Sequence, residues 1–302
     1  LFPGRILSRL AGSGFLQLAS EAFMGAFTGF EHIVREQEPL APYTWFRLGG
    51  PAQYFAEPTS IDELTGLVKR AAQEGLRVRL LGGGSNLLVR DEGVSGLVIH
   101  LAAAPFCEIT LNKTSVHAGG GAKLAHLISM CAREGLGGLE SLAGIPGTVG
   151  GALHGNAGTQ SGDIGQWTTS ADVMLRSGEI VTRERDDLRF AYRDSSLDEL
   201  VILRATFSLE REDPQSLTKR LQKNWIVAKA THPAGAAMTG CVFKDPGGAV
   251  AAQVISSAVQ GARVGQAEVY NANPNFIVAN PGATSRDVEQ LIALIQGLSL
   301  IH

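Results

Sequence analysis

The stretch "MTGCVFKDP", residues 238–246, places Cys241 three residues before Lys244, with Val242 and Phe243 between them. A thiol has a pKa of about 8.5, so at neutral pH it is mostly protonated and can donate a proton. A nearby cation lowers that pKa and leaves a thiolate instead. The competing reading is a small residue filling a core. Cys131 takes that reading, because it shares a helical face with Leu124, Leu127 and Ile128 in the segment 122–134. Cys107, at the entry to the strand-like "CEITL", is expected in a core as well. Three cysteines without CxxC-type spacing and seven histidines without HExxH spacing predict neither a disulfide framework nor a metal centre.

Two glycine-rich stretches have a second kind of chemistry available. "LLGGGSNLLVRDEG" puts Gly82, Gly83 and Gly84, followed by Ser85 and Asn86, straight after a strand pattern. Glycine allows positive φ and lets successive N–H groups face an anion. No GK[ST] follows, so this is not a Walker loop, and Leu87 spoils the dinucleotide GxGxxG pattern. The alternative is a tight exit from a strand. "GLESLAGIPGTVGGALHGNAG", residues 138–158, is more specific: six glycines fall among residues 144–158, separated by Ile145, Val149 and Leu153. Alternating apolar residues and glycine lets a backbone lie close against a flat ring while its amides face a diphosphate. A buried glycine-rich turn is the bland alternative.

The elements that must position these stretches are legible in patches. Ser60 and Glu63 form a capping-box signal before the apolar face Leu64, Leu67, Val68 and Ala71, and Gly75 is placed to end that helix. "LRVRLL" (76–81) reads as a strand, 122–134 as a helix, and 171–209 as antiparallel strands. The charged segment from Arg211 onward contains a helix and reads as a domain connection. A last region holds the helix patterns "AVAAQVISSA" and "SRDVEQLIALIQ", the latter starting at Thr284 and Asp287 with a stripe of Val288, Leu291, Ile292, Ile295 and Leu298.

At 302 residues, 44% hydrophobic and 18% charged, the chain is globular with room for two or three domains. A net charge of −3 and the absence of Lys/Arg runs argue against a nucleic-acid partner. No apolar run reaches the roughly 18 residues needed to span a membrane, and a reducing, cytoplasmic setting is expected. Residues 1–30 read as an amphipathic or frayed N-terminal extension, with a targeting segment as the alternative.

In order along the chain, "TWFRLGGPAQYF", "LLGGGSNLLVRDEGVSGLVIHL", "GLESLAGIPGTVGGALHGNAG", "YRDS" and "GCVFKDP" resemble the MurB family of UDP-N-acetylenolpyruvoylglucosamine reductases, in its compact type II form. The resemblance covers about residues 31–296. It implies an α+β protein with the FAD-binding fold of the MurB and vanillyl-alcohol-oxidase type: two flavin-binding subdomains, 31–105 and 106–210, and a smaller α/β substrate domain, 211–302. It implies non-covalent FAD, NADPH as co-substrate, and reduction of a UDP-sugar enolpyruvyl ether in peptidoglycan precursor synthesis by a monomer.

The resemblance also implies roles. Gly82, Gly83, Gly84, Ser85, Asn86, Ser141, Gly144, Ile145, Gly147, Thr148, Gly150 and Gly151 would line the cofactor. Arg193 would stabilise the negative charge that develops on the enolpyruvyl group, since a guanidinium forks onto a carboxylate. Its alternative is a surface pairing with Asp194 or Asp187. Cys241 occupies the place where most members carry a proton-donating serine, and Tyr192, Lys244, Asp245 and Asn275 would meet the substrate. Asp245 stands where the family usually has asparagine, and Asn273 where it has histidine. The family's catalytic glutamate, in an LEPEV-like strand after the last helix, has no counterpart up to His302, which leaves truncation or loss open. A flavin-binding relative with little turnover, or a reductase of another substrate, is therefore the alternative function.

Overall fold

A computed structural model describes residues 25–231, 237–238, 240–246, 249–259 and 261–299. The first sheet has the order β1-β2-β4-β3, from strands β1 (Val34–Pro39), β2 (Pro51–Ala56), β3 (Val78–Leu81) and β4 (Val94–His100). β1 runs antiparallel to β2, and the β2–β4 and β3–β4 pairs are parallel. Helix α1 (Ile61–Gln73) crosses from β2 to β3, the two parallel strands that flank β4. Its buried face is Leu64, Leu67, Val68 and Ala71, as the periodicity predicts. The capping signal is realised with one change: Ser60 accepts from the amide of Glu63 at 3.2 Å, but the Glu63 carboxylate reaches past it to the Thr59 amide at 2.6 Å. Ala26 and Phe27 join this core, Phe27 meeting Tyr54 edge-on with ring centres 5.0 Å apart, upstream of the expected boundary at residue 31. The targeting question falls on residues that, as far as 24, lie outside the described ones.

The second sheet is wholly antiparallel. Its strands are β5 (Ile109–Asn112), β6 (Ser115–Gly119), β7 (Thr168–Met174), β8 (Ile180–Glu184) and β11 (Val201–Ser208), in the order β8-β7-β11-β6-β5. Between β8 and β11 lies a small hairpin, β9 (Phe190–Ala191) and β10 (Asp194–Ser195). Helices α2 (Leu124–Arg133) and α3 (Val149–His154) contribute to the core of this unit, and Cys131 is buried there with its thiol pushed up to about 12 by desolvation. Cys107 differs from expectation: it ends a single helical turn, is half-buried, and sets its Sγ 3.5 Å from the Leu101 carbonyl.

Helix α4 (Pro214–Thr231) leads to a third, antiparallel sheet of short strands: β12 (Ala237–Met238), β13 (Arg263–Val264), β14 (Ala267–Val269) and β15 (Ile277–Ala279), in the order β12-β15-β14-β13. α5 (Ala251–Val259) and α6 (Ser285–Ser299) cover it. The start of α6 is the predicted capping box, with Thr284 and Asp287 exchanging backbone-to-side-chain bonds of 3.1 Å each. This core extends across to the first unit, because Phe46, Leu48 and Leu88 pack into it. Two polar ties reinforce that junction: Arg90 pairs with Glu289 at 2.8 Å, and Asp91 and Ser285 bond each other in both directions at 3.0 Å. Glu289 is thus engaged in a structural pair.

Candidate active site

The two glycine-rich stretches meet face to face. A β-carbon on Gly83 would lie 2.8 Å from the Gly147 Cα, one on Gly82 would lie 2.9 Å from the Thr148 Oγ1, and one on Gly147 would lie 3.1 Å from the Ser85 Oγ. A real β-carbon does not come so close to backbone, so a side chain at Gly83 would prise the two turns apart, and one at Gly82 or Gly147 would crowd a side-chain oxygen across the gap. Gly84 adds a positive φ of 64° and packs against the Tyr43 carbonyl, which a β-carbon would approach to 1.9 Å. Its own carbonyl accepts from the Trp45 amide at 3.1 Å. The amides of Gly83, Gly84 and Asn86 have no acceptor among the described residues. Three neighbouring donors without an acceptor among the described residues, one of them on a buried residue, suit an anionic group such as a diphosphate.

The second stretch is shaped from below. Leu124 donates to Gly147 at 3.1 Å, Val149 to Ala122 at 2.9 Å and Gly150 to Gly120 at 2.8 Å, so a third glycine turn, residues 119–121, supports it. Three successive glycines, Gly119, Gly120 and Gly121, are the sequence signal for that turn. Thr148 begins α3 and accepts from Gly151 at 3.3 Å. Ile145 packs against the second core. Ser141 instead bonds the Gly138 carbonyl at 3.1 Å, and Gly144 faces Ala228 of α4, where a β-carbon would come to 2.3 Å.

Two further segments close on these turns. Tyr192 and Arg193 form the tip of the β9–β10 hairpin, with Arg193 in the left-handed region at φ 55°. The Arg193 Nη1 donates to the Gly158 carbonyl at 2.8 Å and its guanidinium lies 5.4 Å from the Tyr192 ring centre. These bonds go to a carbonyl and a ring rather than to Asp187 or Asp194. The loop 240–245 begins with a bond from the Gly240 amide to the Ser85 carbonyl, 3.1 Å, and ends with one from the Asp245 amide to the Tyr192 hydroxyl, 3.1 Å. Cys241 therefore sits between the first glycine turn and the arginine hairpin.

Cys241 opens to solvent, yet the protein around it desolvates the thiol and pushes its pKa up. Arg193 pulls the other way and Asp245 adds to the rise. The net direction leaves a proton on sulfur at neutral pH. Lys244 is exposed.

Two residues expected at the substrate have structural partners. Asn275 is only 4% exposed, and its amide is fully engaged with Phe243: Oδ1 accepts from that residue's N–H at 2.7 Å and Nδ2 donates to its carbonyl at 2.9 Å. It braces the Cys241 loop from behind. The Asp245 Oδ1 accepts from the Ala251 amide at 2.8 Å, where a carboxylate at the start of α5 is well placed.

A cradle of glycine backbone between two α+β units, faced by an arginine hairpin and a thiol loop from a third, is the plan of a flavin-dependent oxidoreductase. Residues 52–183 match the FAD binding domain family, and residues 232–298 match the C-terminal domain of UDP-N-acetylenolpyruvoylglucosamine reductase. A Rhodopirellula baltica UDP-N-acetylenolpyruvoylglucosamine reductase is 39% identical over 266 residues, 88% of this chain and 87% of that protein. The Listeria innocua enzyme of the same name is 38% identical over 88% of this chain and 90% of its own length. Among solved structures, the MurB of Thermus caldophilus superposes with a TM-score of 0.78 at 33% identity, covering 89% of this chain and 97% of that one. The chain belongs to the UDP-N-acetylenolpyruvoylglucosamine reductase family.

Proposed function

We propose that this chain reduces UDP-N-acetylglucosamine enolpyruvate to UDP-N-acetylmuramate with NADPH, using bound FAD, in the synthesis of peptidoglycan precursors. The observation that carries the reading is the convergence of the Gly82–Asn86 turn, the Arg193 hairpin and the Cys241 loop, tied by the Gly240–Ser85 and Asp245–Tyr192 bonds, in a chain of this family. The cofactor would be held by Gly82, Gly83, Gly84, Ser85 and Asn86 on one side and by Gly147, Thr148, Gly150 and Gly151 on the other. FAD, when bound, supplies the hydride relay between NADPH and the vinyl carbon.

The chain's own groups handle charge and proton. Arg193 holds the substrate carboxylate and the negative charge that spreads onto it; Gly158 engages only one of the guanidinium's five N–H donors. Cys241 gives its proton to the adjacent carbon, and the upward shift of its thiol keeps that proton in place until it is needed. Tyr192 and Lys244, both exposed, line the approach. Asp245 and Asn275 act by holding the loop.

The three main sheets, at 34–100, 109–208 and 237–279, support dividing the chain near residues 105 and 210 into two flavin-side units and a substrate-side unit, with Met174, Leu200, Val201 and Leu203 of the second unit packed into the first unit's core. The working unit of this reading is a monomer. Among the described residues no helix is long and apolar enough to cross a membrane, and a nucleotide-linked substrate with free cysteines supports a cytoplasmic setting.

The test is an anaerobic flavin spectrum of the purified chain. NADPH should bleach the bound flavin, and the enolpyruvyl UDP-sugar should restore it. Bleaching without recovery would point to a different substrate, and a colourless protein would sink the flavin reading.

A further inference from the structure

Asn156 lies between the two halves of the site. It follows α3 at the end of the glycine-rich stretch, has a left-handed backbone at φ 41°, and is 3% exposed. Both ends of its carboxamide are engaged. The Nδ2 donates to the Ala191 carbonyl at 2.8 Å, and Oδ1 accepts from the Gly165 amide at 3.1 Å. Ala191 is the last residue of β9, immediately before Tyr192 and Arg193.

The hairpin needs an external brace. Each of its strands has two residues, too few to stand as an independent ribbon. Its tip carries a non-glycine residue, Arg193, in the left-handed region, a conformation that L-residues disfavour. Other ties run to the same stretch: the Ser195 Oγ donates to the His154 carbonyl at 3.0 Å, and the His154 Nδ1 lies 2.9 Å from the Leu197 carbonyl. Those flank the far strand, β10. Asn156 holds the near strand, one residue from the tip. Asparagine suits the position, being short, carrying donor and acceptor together, and tolerating positive φ.

We propose that Asn156 is a positioning residue for Arg193: its buried carboxamide fixes the arginine hairpin to the backbone leaving the flavin-side glycine turn, and so sets where the guanidinium meets the substrate carboxylate. The proposal rests on the reductase reading. Displacement of a charge-stabilising group by even an ångström slows chemistry strongly while leaving cofactor binding intact.

Asn156→Asp isolates the tie. It keeps an acceptor for Gly165 and replaces the donor with an oxygen facing the Ala191 carbonyl. Asn156→Gly keeps the left-handed backbone and removes both bonds. With FAD bound, three quantities are read on each: the Kd of the enolpyruvyl UDP-sugar by calorimetry, the rate of flavin reduction by NADPH, and the rate of flavin reoxidation by substrate. Both variants should keep their flavin and their reduction rate, weaken substrate about tenfold, and slow reoxidation on the order of 10–100-fold. In an Arg193→Lys background the Asn156→Asp loss should largely vanish, because the two act through one group. Unchanged reoxidation, equal losses in both half-reactions, loss of flavin in both variants, or losses that multiply fully with Arg193→Lys would each overturn the proposal. A wild-type chain that is not reoxidised at all would instead bring down the reductase reading, and the proposal with it.

Discussion

On the cofactor side of the site the chain approaches itself through bare backbone, with Gly83 against Gly147 and Gly84 against the Tyr43 carbonyl. On the substrate side the loop 240–245 is held by side chains: Asn275 behind it, the Tyr192 hydroxyl at one end, and the Asp245 carboxylate on the first turn of α5. The first surface is defined by the absence of β-carbons and has no room for change. The second is defined by hydrogen bonds that more than one residue type can make. Cys241 and Asp245, two of the positions where the resemblance implies serine and asparagine instead, fall in the side-chain-held loop. Asp245 is accommodated because a carboxylate can accept the Ala251 amide as well as an amide oxygen would.

The comparison breaks most visibly at Gly84. A valine there combines a forbidden φ of 64° with a β-carbon 1.9 Å from the Tyr43 carbonyl. Gly84→Val should therefore lower flavin affinity by at least on the order of 100-fold, or prevent folding of the turn. The flavin-to-protein absorbance ratio of the purified variant reads this directly, and a normal ratio would contradict the cradle. On the other side, Arg193→Lys should retain flavin and reduction by NADPH, yet slow reoxidation by the enolpyruvyl substrate on the order of 10²–10³-fold. Equal losses in both half-reactions would make Arg193 a structural residue.

Cys241 offers a smaller and sharper effect. Cys241→Ala should slow protonation on the order of 10²-fold, whereas Cys241→Ser should keep much of the rate. Full activity of the alanine variant would remove the thiol from the mechanism. The pH profile adds a signed test. Desolvation raises the folded thiol's pKa, so the acid form persists above the ordinary thiol range and activity should fall only as pH rises through that elevated value. In Cys241→Ser the alkaline fall attributable to the thiol should disappear. An alkaline limb identical in both proteins would assign it to another group.

The smallest effect lies outside the site. Glu63 accepts from the Thr59 amide and hydroxyl at 2.6 and 2.8 Å and pairs with His32 at 2.9 Å, and these contacts, led by the His32 bond, hold its carboxyl down to about 2. Its stabilising effect is present above the ordinary carboxylate range and is lost as pH falls from there towards 2. Glu63→Gln should cost about 0.5–1 kcal/mol at neutral pH. Denaturant melts at pH 7 and at progressively lower pH should show the deficit shrinking, with flavin chemistry unaffected. A deficit that does not change with pH would mean that the charge contributes nothing.

Some of this site was legible because it is local. Glycine runs and the Ser60 and Thr284 caps act within a few residues, and each appears where its sequence places it. Side-chain direction is another matter. Asn275 was expected at the substrate, yet packing of the third sheet turns it inward onto Phe243. Asn156 lies in the most informative stretch, but nothing local reveals that Ala191, thirty-five positions on, is its partner.

The order of the motifs, the helical faces and the residue types available for proton and charge chemistry were determined by the sequence alone, because they depend on neighbours along the chain. Which glycine turns touch, whether the Cys241 thiol holds its proton, and which amides face the ligand were decided only by tertiary structure. The charges acting on Cys241 are those of Arg193, 48 positions away in the chain, and of Asp245, on a loop anchored on Ser85 and Tyr192, while burial in the folded chain desolvates the thiol. Electrostatic free energy depends on distance in space, and no pattern along the chain encodes that distance until the three cores have packed.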